Sequence, residues 1–531
     1  MMRAMRRSLA ITVFILLASL NACTQARPTP TSNEYFAIEV IDAQTRRGVP
    51  LVELETVNGL RYVTDSAGLV AFREPGLMNQ KVFFTVRSHG YQFPKDFLGF
   101  AGKALDVTPG GRATLEINRI NIAERLYRVT GGGIYADCVL LGRKASIEEP
   151  LLNGKVVGQD SVQSAVYRGK IYWFWGDTNR PEYPLGHFGT AGATSDLPGK
   201  GGLDPSVGVN LKYFVDETGF SRKMVPMPED EKGPVWIDGL TTLHDESGRE
   251  RLVAHYARMK DLGTMLARGL LVFNDEKAIF EKLAPVPLDA PLAPAGHALR
   301  AKVNGVEYLY FTAPYPNVRV RADWKSFTDL SAYEGFTPLV PGTRVEKGQA
   351  PKLERDANGK LVFGWKRNTP PLTSDQQQAL IESGAMRADE SPQRLIDIET
   401  DQPVLLHGGS VNWNAYRKKW LMIGLQGRGT SFLGEVWYAE SDGPAPEGPW
   451  RLARKIVTHD RYSFYNPAQH PFFDSDGGRY VYFEGTFANT FSGTDVPTPR
   501  YDYNQVMYRL DLADPRLRSK TPSTAPATRP N

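Results

Sequence analysis

The sequence predicts an all-β protein, a small N-terminal β-sandwich followed by a five-bladed β-propeller with a short helical insertion. Three observations carry that reading. Apolar residues recur at period two in short runs. Turn signals separate the runs, with 50 Gly and 38 Pro making about 17% of the 531 residues against an average of about 12%. From residue 128 onward, five segments repeat one form: a strand opened by a polar residue, a turn, and a second strand rich in aromatics. The length calls for more than one domain. A content of 41% hydrophobic and 11% aromatic residues excludes a disordered chain or a coiled coil.

In chain order, three arginines (Arg3, Arg6, Arg7) precede the apolar run at 11–20 and then Leu20-Asn21-Ala22-Cys23. A basic stretch, a short apolar stretch and a small residue before a cleavage point make a secretory signal over residues 1–22, and the apolar run is short of the ~20 residues of a spanning helix. Leu20-Asn21-Ala22-Cys23 resembles a bacterial lipoprotein signal, although Asn21 departs from the usual small residue. The resemblance implies lipidation of Cys23, a membrane partner through that anchor, and a place in the bacterial cell envelope, periplasmic or surface-exposed. An ordinary cleaved signal with an incidental cysteine is the alternative. Residues 23–33 then form a tether, and Cys138 is left a lone, buried thiol. Removal of the three arginines lowers the formal charge from +4 to +1. A near-neutral surface offers no general field for nucleic acid, and no nucleic-acid partner is expected.

Residues 34–120 carry the sandwich. Phe36, Ile38 and Val40 alternate, a turn follows at Arg46-Arg47-Gly48, Val52 and Leu54 continue the pattern, and further runs end at Val82–Val86 and Gly90-Tyr91. The order V-x-D-x-x-T-x-x-G-V-P, then T-D-S-A-G-L-V-A-F, then H-G-Y resembles carboxypeptidase-regulatory-like (prealbumin-like) domains. That likeness implies a spacer or binding module. The propeller occupies 128–513. Its five units open at Asp160, Asp238, Gly296-His297, Ser410-Val411-Asn412-Trp413 and Asn466, and their second strands hold Trp173, Tyr256, Tyr310, Trp420 and Tyr482. Residues 373–400 read as an insertion of two short helices, one over Asp375–Glu382 capped by Ser374 and one opened by Ser391-Pro392. The tail 519–531 is rich in Pro, Thr, Ala and Ser and should be disordered.

The chemistry is expected in the hairpin Gln159–Thr178. A two-residue loop at Arg168-Gly169 sets Asp160 directly opposite Asp177, with Cβ atoms about 4.5–5.5 Å apart. Two carboxylates that close cannot both ionise cheaply, so one becomes an acid beside a base, as glycoside hydrolysis requires. The plainer reading has Asp160 capping a turn and Asp177 binding loop amides. Asp238 opens the next unit at the place matching Asp160. This arrangement resembles the glycoside hydrolases built on five-bladed propellers, in which acidic residues at successive inner strands converge on the axis. The resemblance implies catalytic roles for Asp160, Asp177 and Asp238 on a carbohydrate substrate or ligand. The third unit departs from the pattern, since Gly296-His297 places no Glu at its head. Glu484 is the first candidate for the missing acid, before Glu435 and Glu440. His297 and His470 are placed to reach the axis, and Asn412, Trp413, Asn466 and Tyr465 offer hydrogen bonds and an apolar platform for a sugar ring. No zinc-type spacing, Walker A, dinucleotide fingerprint or G-x-S-x-G elbow occurs, so neither a metal nor a cofactor is expected. The competing reading is a non-catalytic surface lipoprotein that binds glycans or proteins.

Overall fold

The computed structural model describes residues 34–518 except Glu229 and Lys347. The signal, Cys23, the tether and the tail lie outside the described residues.

Period-two runs become strands because their apolar faces need a common cover. Two four-stranded sheets fill residues 36–119. Phe36–Asp42 sits centrally in one, antiparallel to Leu69–Phe72 and parallel to Arg112–Arg119, while Gln80–Arg87 pairs with Glu53–Thr56 and Gly102–Val107 in the other. Ile38, Val40, Leu54, Phe84, Val107 and Leu115 from both sheets close one core.

Five sheets of four to six strands follow along the chain, each built on an antiparallel hairpin. The first strands of these hairpins are Gln163–Tyr167, Val235–His244, His297–Val303, Leu406–Asn414 and Ser463–Gln469. Each touches the first strand of the next sheet. The ring closes where Ser164 meets His470 at 3.0 Å and Asn466 donates to Ser161 Oγ at 2.6 Å. Glu124–Arg128 supplies the outer strand of the last sheet, antiparallel to Asn504–Asp511, so the two chain ends of the ring are locked together. This is the topology of a β-propeller. The second strands are central in their sheets and pack the seams between neighbours, which is what the aromatics are for: Trp173, Phe174, Tyr310 and Phe483 are all fully buried.

The insertion departs from expectation. The first helix is present at Ser374–Glu382, with Thr373 rather than Ser374 as its cap and Gln376 completing a capping box. The second is not a helix. Gln393–Asp397 is a strand, parallel to Trp450–Thr458 at the outer edge of the fourth sheet. Its alternation of buried and half-buried residues has period two, and an open sheet edge outweighs the helix-start signal of Ser391-Pro392. Leu380 and Met386 of the insertion share a small core with Leu339, Leu361 and Leu372 of the preceding segment. Cys138 is buried in a separate small cluster with Leu69 and Tyr135, and burial pushes its thiol up.

Candidate active site

In each sheet the first strand leaves one mouth of the ring and the second returns to it. Connections between second and third strands therefore cluster at the mouth where first strands begin. Residues 176–190, 427–434 and 489–503 are such connections, and they carry the exposed aromatics Phe188, Phe432 and Phe491.

The hairpin carrying the two aspartates holds the expected register. Gln163 faces Phe174 and Tyr167 faces Lys170; beyond a short interruption, Gln159 faces Thr178 in the same register. Asp160 and Asp177 fall in the interruption, at the mouth, where the ladder does not pair them. Ser161, at φ 52°, breaks the ladder there, and the Gly176 amide donates to the Asp160 carbonyl at 2.7 Å. Gly176 is required by contact: a Cβ would lie 2.1 Å from Asp160 Oδ1.

Asp160 Oδ2 accepts the Tyr465 hydroxyl at 3.0 Å, and the Tyr503 hydroxyl and the Asp177 amide also bond its carboxylate. Oδ1 is buried with no partner. Burial first, and the Asp177 charge second, push Asp160 up to about 7 despite these donors. Asp177 Oδ1 accepts the Gly189 amide at 2.9 Å and the Trp236 indole N–H at 3.0 Å. Burial raises it too, opposed by those two donors. The turn-type bonds foreseen in the plainer reading are thus partly present, and the Asp177 charge acts on Asp160 beside them.

Trp236 and Asp238 stand two residues apart on one strand and so share a face, which runs the site from Asp177 inward to Asp238. Asp238 accepts the Gly296 amide at 3.3 Å, and burial lifts it to about 6. Gly296 ties three sheets, since its carbonyl also accepts from the Gly239 amide at 2.8 Å and from Gln163 Nε2 at 3.2 Å. Asn466, at φ 51°, reaches Ser161 beside the Tyr465–Asp160 bond, and Phe491 packs edge-on against Tyr465 at 5.6 Å. Carboxylates and an apolar rim are therefore contiguous.

Deeper, His470 bridges Ser164 and Glu484, with Nε2 3.2 Å from Glu484 Oε1, and both residues of that pair are 0% exposed. Glu484, expected as the acid, is fully buried between the fifth and first sheets, with Oε1 on His470 and Oε2 without a partner. Its alternates are also occupied. Glu435 is buried against the Thr430 amide and Lys455, and Glu440 is held by Arg417, Lys419 and the Tyr438 hydroxyl. His297 is lowered to about 4 by burial and by the nearby His470, which makes it a neutral hydrogen-bonding group. Asn412 reaches Gln469 at 3.5 Å, at the depth of His470. Trp413, expected as a sugar platform, packs edge-on against Trp420 near the far end of its strand and does not meet the carboxylates. Strand alternation turns it to the face opposite Asn412.

Sequence reasoning missed Tyr503, Trp236, Gln163 and Gly176. Trp236 was within reach of it, because period two from Asp238 points to it. Among the described residues, no group of three or more His, Cys, Asp or Glu side chains is placed to hold a metal ion. Two shallow concavities, one lined by Asp196 and Lys212 and one by Gln377 and Arg394, have room for about one water each and include none of the carboxylates above.

No family model and no curated protein matches the chain. Solved structures do. An exo-β-1,3-galactanase from Phanerochaete chrysosporium is 9% identical, with 73% of this chain and 65% of that chain covered and a TM-score of 0.35. An exo-1,5-α-L-arabinanase from a bovine ruminal metagenomic library is 11% identical, with 67% and 94% covered and a TM-score of 0.34. An α-L-arabinanase from Penicillium chrysogenum, complexed with arabinobiose, is 13% identical, with 68% and 96% covered and a TM-score of 0.32. At such identities no residue role is carried over from one chain to another.

Proposed function

We propose that this chain is a glycoside hydrolase of the bacterial cell envelope, a lipoprotein anchored at Cys23. Its prealbumin-like sandwich serves as a stalk, and its five sheets are the five blades of a propeller with a carbohydrate bound at the mouth described above. What supports the reading is Asp160, buried at the mouth beside the Asp177 backbone and held at about 7 by burial and by the Asp177 charge. Asp160 then keeps its proton near neutrality and donates it to the glycosidic oxygen as the bond to the anomeric carbon breaks. Asp177, oriented by Trp236 and the Gly189 amide, is the carboxylate that attacks that carbon or takes a proton from water. Asp238 is a third carboxylate below them, oriented by Gly296. Glu484 and His470 have no direct part and hold the seam behind Asp160. Phe188, Phe432 and Phe491 supply apolar faces to sugar rings.

The test is turnover by the chain from Thr24 onward on a panel of aryl glycosides and polysaccharides. Asp160→Asn and Asp177→Asn should each lose about 10³-fold in rate, with melting temperatures within a few degrees of the parent. Because Asp160 must be protonated, the rate should fall as pH rises through about 7. Full activity in both variants overturns the assignment. A second reading, a glycan-binding protein without turnover, is favoured by one observation: the third sheet opens with Gly296-His297 and Glu484, Glu435 and Glu440 are all engaged. It predicts retention of the wild type on an immobilised polysaccharide with no product released.

A further inference from the structure

The segment from Gln92 to Lys103 joins the two sheets of the N-terminal unit, from Tyr91–Gln92 in one to Gly102–Val107 in the other. Such a connection is normally polar. This one presents Phe97, Leu98 and Phe100 at 95%, 68% and 58% exposure. The exposure is built in by the loop's own bonds. Lys95 and Ala101 bridge at its base, the Asp96 amide donates to the Phe100 carbonyl at 3.0 Å, and Asp96 Oδ1 accepts the Leu98 and Phe100 amides at 2.9 Å each. Gly99, at φ 90°, supplies the left-handed residue the turn needs. The loop's one carboxylate is thereby turned onto its own amides, three apolar side chains are held outward, and Lys95 and Lys103 stand exposed at its two feet.

We propose that this tip inserts into the interfacial region of a lipid bilayer. The apolar area it offers is on the order of 400 Å², about half of what one partner contributes to a standard protein interface, and it is convex. That suits a wedge entering the boundary between headgroups and acyl chains better than a dimer face. The lysines lie where anionic headgroups would sit, and they outnumber the one carboxylate of the tip, Asp96, whose Oδ1 is turned onto the loop's own amides. The chain outside the described residues also fits. The described chain starts beside Gly111, at the end of Gly102–Val107 away from the tip, a strand of about 20 Å. Ten residues, 24–33, separate it from Cys23 and span about 33 Å when extended. A lipid at Cys23 and the tip can therefore enter one bilayer, and two points of attachment would fix the direction in which the propeller mouth faces. The tip's own insertion does not depend on the anchor or on catalysis.

The test uses the chain from Thr24, which keeps every described residue and lacks the lipid site. It is sedimented with vesicles of phosphatidylethanolamine and phosphatidylglycerol. The parent should partition onto them, and Phe97→Ser/Leu98→Ser/Phe100→Ser should reduce that partition at least tenfold with an unchanged melting temperature, because these side chains stand in solvent. Phe97→Cys carrying an environment-sensitive fluorophore should shift to the blue on the vesicles; Cys138, 4% exposed, does not compete for the label. Failure of the parent to bind, equal partition of the serine variant, absence of the blue shift, or a dimer of the parent that the serine variant dissolves would each overturn the proposal. None of these readouts depends on glycosidase activity.

Discussion

At the scale of the residue, the site rests on how closely a carboxylate can be brought to backbone and to its own kind. Gly176 admits Asp160 Oδ1 to a place a Cβ would fill. Asp177 across the hairpin and the surrounding burial then outweigh three donors to the Asp160 carboxylate. Its proton affinity is a stability statement as well as a catalytic one. An unfolded Asp titrates near 3.9, whereas Asp160 in the fold titrates at about 7. The folded chain thus binds the extra proton between those values, and the stability present below the unfolded value is lost as pH rises through about 7. Asp160→Asn carries no such charge and still accepts from Tyr465 and Tyr503. Relative to the parent it should therefore be of similar stability at pH 4 and more stable at pH 8, by on the order of 2–4 kcal/mol. Melting temperatures of both proteins across that range check this, and a difference that does not grow with pH would refute it.

At the scale of the element, Gly296 deserves comparison with Gly176, because it holds strands rather than a side chain. At φ 68°, and with a Cβ that would fall 1.8 Å from the Thr312 carbonyl oxygen, it tolerates no side chain. Its amide and carbonyl bond Asp238, Gly239 and Gln163. Gly296→Ala should destabilise the fold by about 2 kcal/mol or more and shift the pH dependence that Asp238 imparts, both read from denaturant melts and a pH–rate profile. An unaltered profile would remove Asp238 from the site. The register of Gln163–Tyr167 against Lys170–Trp175 was legible because a two-residue loop and strict alternation leave one pairing, whereas the local shift that gives the Asp160 carbonyl the Gly176 amide was not. The Gly296 knot was not either, since it gathers the Gln163 side chain, the Gly239 amide and the Asp238 carboxylate on the backbone of one glycine, which leaves no compositional mark. The burial of Glu484 was not legible for a related reason: alternation says that a side chain leaves the sheet face but not what that face meets. Gln393–Asp397 was read as helix because local start signals carry no knowledge of the free edge at Trp450.

At the scale of the whole molecule, the N-terminal unit is welded to the ring rather than hung from it. Arg125 lies in the outer strand of the last sheet and is fully buried. Its guanidinium donates to the carbonyls of Pro50 and His89 at 3.0 and 2.9 Å and to Ser88 Oγ at 2.6 Å, and it lies over the Tyr91 ring. His89 packs against His459, Tyr462 and Phe487, and Tyr501 donates to the Thr64 carbonyl at 2.9 Å. The strand that closes the ring is therefore also the strand that grips the N-terminal unit. Truncating the guanidinium would strand several buried acceptors at about 1–3 kcal/mol each, and Met in its place keeps the stem's packing while removing every donor. The parent should melt in a single calorimetric transition because neither unit can leave without exposing the shared seam. Arg125→Met should lower that transition and separate an earlier one belonging to residues 34–120, identifiable by protease cleavage between the units. One undivided transition at the parent temperature would mean that apolar packing around Leu51 and His89 alone holds the units together.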